Sequence, residues 1–156
     1  MLRIKIIVVD RTRSSFLAEG ESLYLDRIRK YAGVEWIETK PAKIKKGRPS
    51  KSILDTERDA IRRKLHDHDY VIALDPSGKV FSSEGFAAWI DHLSVSRSRL
   101  TFVVGGPLGL AKEILDRSQE RLSLSRLTFT HEMSRIILLE QLYRAFTIIN
   151  HEKYHK

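Results

Sequence analysis

Cysteine is absent from the 156 residues of the chain, and so is any apolar run of 18 residues. The first absence excludes disulfide bonds, cysteine zinc sites and thiolate catalysis, and the second excludes a membrane-spanning helix. The N-terminal stretch "MLRIKIIVVD" lacks the apolar core and the cleavage site of a signal peptide. Hydrophobic residues make up 42% of the chain, as in typical globular proteins. We therefore expect one cytoplasmic domain spanning residues 1–156, without a membrane partner.

Motifs of several common sites are missing as well. The first strand-like run ends in "VVDRTRSSF", without the G-x-G-x-x-G of Rossmann-type dinucleotide sites. Neither a P-loop nor a G-x-S-x-G nucleophile elbow occurs. His66 and His68 stand two residues apart without a third ligand at an obvious spacing, so we predict no metal site.

Basic residues outnumber acidic ones. The chain has 28 Lys and Arg against 20 Asp and Glu, a net charge of +8. Such an excess indicates a polyanionic partner, although a role in solubility would explain it about as well. The distribution favours a partner, because every charged residue in "KPAKIKKGRPSK", residues 40–51, is basic. A flexible loop of this composition is suited to phosphate contacts.

Strand-like and helix-like patterns alternate along the chain. β-rich runs predict strands over residues 2–9, 34–39, 70–75 and 100–106, with a turn at "DPSGK" after the third. Helical spacing predicts helices over residues 16–31, 53–65, 86–93, 110–119 and about 131–150, the third capped by Ser82 or Ser83. Residues 121–129 fit a strand or an extended loop. The alternation predicts an α/β fold with a mostly parallel sheet.

The last predicted helix is apolar over most of its circumference. Its sequence "IILLEQLYRAFTII" leaves one narrow polar stripe, formed by Glu140, Arg144, Thr147 and His151. Glu140 and Arg144 stand in the favourable order for an i, i+4 ion pair. Such a helix is either the central core helix of one chain or part of a two-fold interface between two copies. We favour the homodimer.

Two strand ends are candidates for a ligand site, because open parallel sheets bind ligands beyond the carboxyl ends of their strands. They are "ALDPSGK", residues 73–79, and "VVGGPLGL", residues 103–110. The glycines permit close approach of the backbone to a ligand. Many turns between strands and helices look like this, so the pattern alone does not name the ligand.

Longer motifs resemble one family. "FVVGGPLGL", "RLSLSRLTFTHEMSRIILLEQLYRAFTII" and the final "YHK" are closely similar to the RlmH family, and "LDPSGKVFSSEGFA" resembles its central loop. The resemblance covers most of residues 70–156 and is loose over the first half. RlmH proteins are methyltransferases of the SPOUT superfamily that act on N3 of a pseudouridine in 23S ribosomal RNA. The resemblance implies a C-terminal trefoil knot, a homodimer and S-adenosylmethionine as methyl donor. We expect the substrate to be 23S rRNA within an assembled ribosomal particle.

The resemblance also assigns residues. The donor pocket would comprise Leu74, Gly105, Leu124, Ser125, Arg126, Leu127, Thr128 and Phe129. The catalytic candidates are His131, Arg144, Tyr154, His155 and Lys156, and in the family the tail of one subunit completes the site of the other.

The roles of these candidates follow from the chemistry that methylation of N3 requires. The N3 proton must leave, and an imidazole is the side chain best suited to accept it, which indicates His131 or His155. Arg144, Arg135 and Lys156 are the candidates to stabilise negative charge or hold phosphate. Simpler explanations remain open, since His131 could cap the last helix and Arg144 could only pair with Glu140.

The sequence departs from the family pattern at Thr130, Leu108, His151, Lys153 and Asp10, none of them a predicted donor contact. Two other functions remain open. One is a related methyltransferase with a different RNA target. The other is a basic RNA- or ribosome-binding protein without catalytic activity.

Overall fold

The predicted alternation of strands and helices is confirmed in the computed structural model, which describes residues 1–156. The strands are β1 Arg3–Val9, β2 Gly33–Thr39, β3 Tyr70–Lys79, β4 Arg99–Val104 and β5 Glu120–Leu122. The helices are α1 Ser15–Ile28, α2 Ser50–Arg62, α3 Ser83–Ser96, α4 Lys112–Arg117 and α5 His131–Ile149. Residues 151–156 follow α5 and are called the C-terminal tail below.

All five strands form one parallel sheet in the order β2-β1-β4-β3-β5. β1 and β4 lie inside the sheet and are covered on both faces, which explains why both sequences are nearly continuous apolar runs. The predicted parallel α/β class is thus confirmed.

Helices cover both faces of the sheet. α1, α3 and α5 pack on one face around the larger apolar core, and α2 and α4 pack on the other around a smaller one. α5 lies between α1 and α3, and its Leu138, Leu139 and Leu142 are fully buried within the single chain. The single chain therefore uses α5 as a central core helix, so the apolarity of α5 no longer argues for a homodimer by itself. No helix combines the length and the apolar character needed to cross a bilayer.

Hydroxyl side chains cap the N-termini of the helices on the larger core. The Ser82 hydroxyl accepts the N–H of Gly85 at 3.0 Å, which makes Ser82 the cap of α3. The Thr130 hydroxyl accepts the N–H of Met133 at 3.2 Å, so Thr130 caps α5. The alternative that His131 is the cap is therefore wrong.

Several predicted boundaries are wrong. "DPSGK" belongs to β3, which runs on to Lys79 with a shift in its pairing to β5. Of residues 121–129 only the first two are in β5, and α2 begins at Ser50, which shortens the basic loop to residues 40–49.

The predicted polar stripe of α5 is shorter than expected. Thr147 is fully buried and donates its hydroxyl to the Arg144 carbonyl at 2.7 Å. His151 lies beyond the helix with a φ of 58°. Only Glu140 and Arg144 remain as the polar stripe.

A buried ion pair connects β1 to Asp69, the residue that precedes β3. The Lys5 ammonium donates to Asp69 at 2.8 Å, and the two side chains are 2% and 0% exposed. Burial raises the pKa of Asp69, but hydrogen bonds from Lys5 and the His66 N–H outweigh it and hold that pKa below its usual value. This contribution to stability is present above the ordinary carboxyl pKa and is lost as the pH falls through the lowered one.

Substitution of Asp69 by asparagine is expected to lower the free energy of unfolding by about 3–5 kcal/mol, because it leaves the Lys5 charge buried without a partner. Urea denaturation at neutral pH measures the loss. Asp26→Asn is the matched control, since Asp26 pairs with Arg29 at the surface and should cost less than about 1 kcal/mol. Equal losses for the two variants would contradict the expectation.

Candidate active site

The carboxyl ends of the parallel strands meet along one edge of the sheet, where open α/β sheets bind ligands. The glycine turn, residues 105–109, follows β4 at this edge, and the β5–α5 loop, residues 123–130, follows β5. Leu74 lies beside them, because it pairs with Leu122 in the register of β3 and β5. The three segments predicted for the donor pocket thus reach a common edge.

Backbone contacts close the glycine turn on itself. Gly109 donates its N–H to the Gly106 carbonyl at 3.0 Å, and its φ of 78° lies in the region that favours glycine. A β-carbon on Gly105 would lie 2.5 Å from the Gly109 oxygen. No larger residue fits at position 105 unless the backbone moves, so the turn presents backbone groups to the edge.

Hydrogen bonds also fix the irregular β5–α5 loop. The Ser123 N–H donates to the Lys79 carbonyl at 2.9 Å, and the Ser123 hydroxyl donates to the Ser125 carbonyl at 2.9 Å. The Ser125 hydroxyl accepts the N–H of Leu127 at 3.0 Å. Among the predicted donor contacts in this loop, the half-buried ones are Leu124, Ser125 and Phe129, and the exposed ones are Arg126, Leu127 and Thr128.

His131 is the first residue of α5 and follows this loop directly. Burial lowers the pKa of His131, and the nearby charge of Arg135 lowers it further. The imidazole is therefore neutral at pH 7 and is able to accept a proton.

The structure gives Arg135 a different role from the one predicted. Its side chain is fully buried, and its guanidinium donates to the Thr12 hydroxyl at 2.9 Å and to the Val9 carbonyl. The Thr12 hydroxyl in turn donates to Glu21. Arg135 thus holds the turn between β1 and α1 against α5, and the suggestion that it binds phosphate is wrong because it is shielded from solvent.

The C-terminal tail folds back along α5 of its own chain. The Tyr154 hydroxyl donates to Glu140 at 3.1 Å, and the Arg144 guanidinium lies 4.7 Å from the centre of the Tyr154 ring. The His155 ring contacts Arg144 through Nδ1 at 3.2 Å and Glu84 through Nε2 at 2.7 Å. Charged side chains therefore hold both Tyr154 and His155 in place. These two residues and Arg144 are called the tail cluster below.

Three of the predicted catalytic residues, Arg144, Tyr154 and His155, form this cluster. The predicted ion pair between Glu140 and Arg144 is confirmed. Burial, together with neighbouring hydrogen bonds, raises the pKa of Tyr154 to about 12, so the hydroxyl remains protonated and can donate. Lys156 is exposed beyond the cluster.

His131 lies apart from this cluster in the single chain. Both His131 and Arg144 belong to α5, and thirteen helical steps place them roughly 20 Å apart along the axis, at about 1.5 Å per residue. One chain therefore does not bring all five predicted catalytic residues together.

No sequence motif identifies two carboxylates that lie near these sites, Glu84 and Glu57. Glu84 binds His155, whose hydrogen bond and charge hold the pKa of Glu84 below its usual value. Glu57 is 5% exposed, and a β-carbon on Gly106 would lie 3.3 Å from its Oε1. Burial raises the pKa of Glu57. Only the position of Glu84 in the first turn of a helix follows a sequence preference, since acidic residues are favoured there.

The fold is shared with a known RNA methyltransferase. A tRNA (m1G37) methyltransferase from Aquifex aeolicus superposes with a TM-score of 0.53 over 92% of this chain and 69% of that chain, at 13% sequence identity. The family model described as "Predicted SPOUT methyltransferase" matches residues 2–155. The chain therefore belongs to the SPOUT methyltransferase family.

Relatives with much higher identity narrow this classification. A protein from Listeria monocytogenes named "Ribosomal RNA large subunit methyltransferase H" is 42% identical over 99% of this chain and 100% of its own length. Proteins of the same name from Enterococcus faecalis and Carboxydothermus hydrogenoformans are 38% and 40% identical over the same shares. The predicted resemblance to the RlmH family is thus confirmed, and it extends over the first half of the chain, where the motifs were loose.

Proposed function

We propose that the chain transfers a methyl group from S-adenosylmethionine to large-subunit ribosomal RNA. The observation that carries this proposal is the identity of about 40% to RlmH proteins over their whole length. The proposal includes N3 of a pseudouridine in 23S rRNA as acceptor, an assembled ribosomal particle as substrate, and the cytoplasm as location.

The glycine turn and the β5–α5 loop fit the methyl donor. Donor pockets are mostly apolar, with a few placed polar groups, and these segments offer backbone groups, serine hydroxyls and half-buried apolar side chains. The residues proposed to hold the donor are Leu74, Gly105, Leu124, Ser125, Arg126, Leu127, Thr128 and Phe129. When bound, the donor supplies an already activated methyl group, so the protein has to orient the acceptor and exclude water.

Side chains of the protein are proposed to accept the N3 proton and to stabilise the negative charge on the base. His131, neutral at pH 7 because burial lowers its pKa, is proposed to accept the N3 proton. Arg144 and Lys156 are proposed to stabilise the negative charge that develops on the ring. Tyr154 and His155 are proposed to contact the base, by stacking or hydrogen bonding.

A homodimer would bring these residues together. Because His131 and the tail cluster lie at opposite parts of α5, the tail of one subunit is proposed to complete the donor edge of the other. Phe16 and Met133 are 78% and 40% exposed. They lie at the starts of α1 and α5, which are neighbours because the Ser14 N–H donates to Glu132. Exposed apolar side chains at neighbouring helix ends are typical of an interface, and Leu127, which is 73% exposed, lies in the loop that leads into α5.

The C-terminal trefoil knot belongs to the same proposal. Support comes from the close packing of the segments it would contain. A β-carbon on Gly78 would lie 2.5 Å from the Arg121 backbone. β3 and β5 therefore approach each other there so closely that only glycine fits.

Labelled S-adenosylmethionine, incubated with ribosomes that lack the modification, tests the function. We expect one methyl group per large subunit, found by nucleoside mass spectrometry as N3-methylpseudouridine. Ribosomes that already carry the methyl group are the control and should accept none. A methyl group on another nucleotide would assign a different RNA target, and the absence of transfer by folded protein that binds ribosomes would indicate a binding protein.

A further inference from the structure

A cleft of about 630 Å³ opens between the basic loop and α2. Five basic side chains line it: Lys40, Lys43, Lys45, Arg48 and Arg63. The only acidic residue in its lining is Asp59, whose carboxylate is already bound by Arg58 at 3.0 Å. The cleft is therefore strongly cationic, and its charge is concentrated in a concave space.

Arg48 preorganises the cleft. Its guanidinium donates to the Lys43 carbonyl at 2.8 Å, to the Ser52 hydroxyl at 3.1 Å and to the Thr56 hydroxyl at 2.7 Å. These bonds tie the loop to the first turns of α2. The three cleft lysines and Arg63 form no ion pair within the chain, so their charges remain available to an anion.

The cleft lies next to the candidate donor edge. Lys40 follows Thr39, which pairs with Val9 at the carboxyl end of β1. Buried Glu57 connects the two places, because its carboxylate lies near the Ala42 N–H in the cleft wall while its Oε1, which has no hydrogen-bond partner, faces Gly106. A single side chain therefore separates the cleft from the glycine turn.

We propose that this cleft binds a backbone phosphate of the RNA substrate, close to the nucleotide that enters the donor edge. Phosphates are recognised by Lys and Arg, and they position a nucleic acid without reading its sequence. No aromatic side chain lines the cleft, so it has no surface on which to stack a base. The proposal rests on the proposed function for the identity of the anion, and it is narrower than contact by the whole basic loop, because Lys46 lies outside the cleft.

Two adjacent lysines provide the test. Lys45 lines the cleft and Lys46 does not, yet both are exposed and belong to the same loop. Lys45→Glu and Lys46→Glu change the net charge equally. Their binding to a fluorescein-labelled hairpin of large-subunit rRNA and to unmodified ribosomes is measured over a range of salt concentrations, with affinity for S-adenosylmethionine as a separate readout.

We expect Lys45→Glu to weaken RNA binding about tenfold and to reduce the slope of log K against log salt by about 1. Lys46→Glu should weaken binding less than about twofold, and both variants should retain donor affinity. Equal effects of the two substitutions, or none from Lys45→Glu, would overturn the proposal. Because binding is measured without methyl transfer, wild-type protein that binds RNA through Lys45 but does not methylate it would refute the function and leave the cleft assignment intact.

Discussion

Deletion of Tyr154, His155 and Lys156 is expected to reduce methyl transfer at least about hundredfold, the usual loss when groups that position or stabilise a transition state are removed. The tail cluster contains no residue of the proposed donor pocket, so affinity for S-adenosylmethionine should stay within about twofold of the wild type. Single-turnover transfer to unmodified ribosomes and calorimetric donor titration measure the two quantities.

The control for this deletion is a variant that keeps the tail but changes its spacer, Lys153→Ala. Lys153 is exposed and makes no ion pair, so full activity is expected. Transfer at the wild-type rate after the deletion would show that the tail has no part in catalysis.

Gly105→Ala is expected to weaken donor binding by about tenfold to hundredfold. The added β-carbon would lie 2.5 Å from the Gly109 oxygen, and such overpacking typically costs about 1–3 kcal/mol, which is the corresponding loss in affinity if the turn is displaced. Isothermal titration with S-adenosylmethionine measures the effect. Gly33→Ala is the matched control, because its β-carbon would lie 3.7 Å from Arg3, an ordinary contact. Loss of donor binding by Gly33→Ala, or its retention by Gly105→Ala, would contradict the proposed pocket.

A mixture of the tail deletion and Gly105→Ala also shows whether the tail and the donor pocket of one site come from the same chain or from two chains. The tail deletion keeps an intact glycine turn, and Gly105→Ala keeps an intact tail. If the tail completes the partner's site, mixed dimers should regain transfer at about a quarter of the wild-type rate, from the random share of productive pairs. A mixture as inactive as its components would place the tail and the donor pocket in the same chain.

Local patterns predicted most of the sheet, because β1 and β4 are buried on both faces and therefore read as apolar runs. They did not predict the extension of β3, since Pro76 and Gly78 normally interrupt strands. In the structure this stretch tolerates both residues, because its pairing to β5 shifts register there.

The predicted site residues came from family motifs, whereas their charged partners depend on packing between distant segments. Glu84 and His155 are 71 residues apart in the chain, and Glu57 belongs to α2 whereas Gly106 belongs to the turn after β4. The pattern of α5 showed that the helix is covered, but it did not distinguish neighbours in the same chain from those of a second copy. No periodicity contains this information, because burial leaves the same sequence signal in both cases.

The backbone at His151 has a consequence for the tail. Its φ of 58° is a left-handed conformation that costs a residue with a β-carbon roughly 1–2 kcal/mol. The contacts of the tail with Glu84, Glu140 and Arg144 hold it against this cost. In the proposed dimer, the tail and Arg144 would therefore meet the partner's donor edge as one preformed unit.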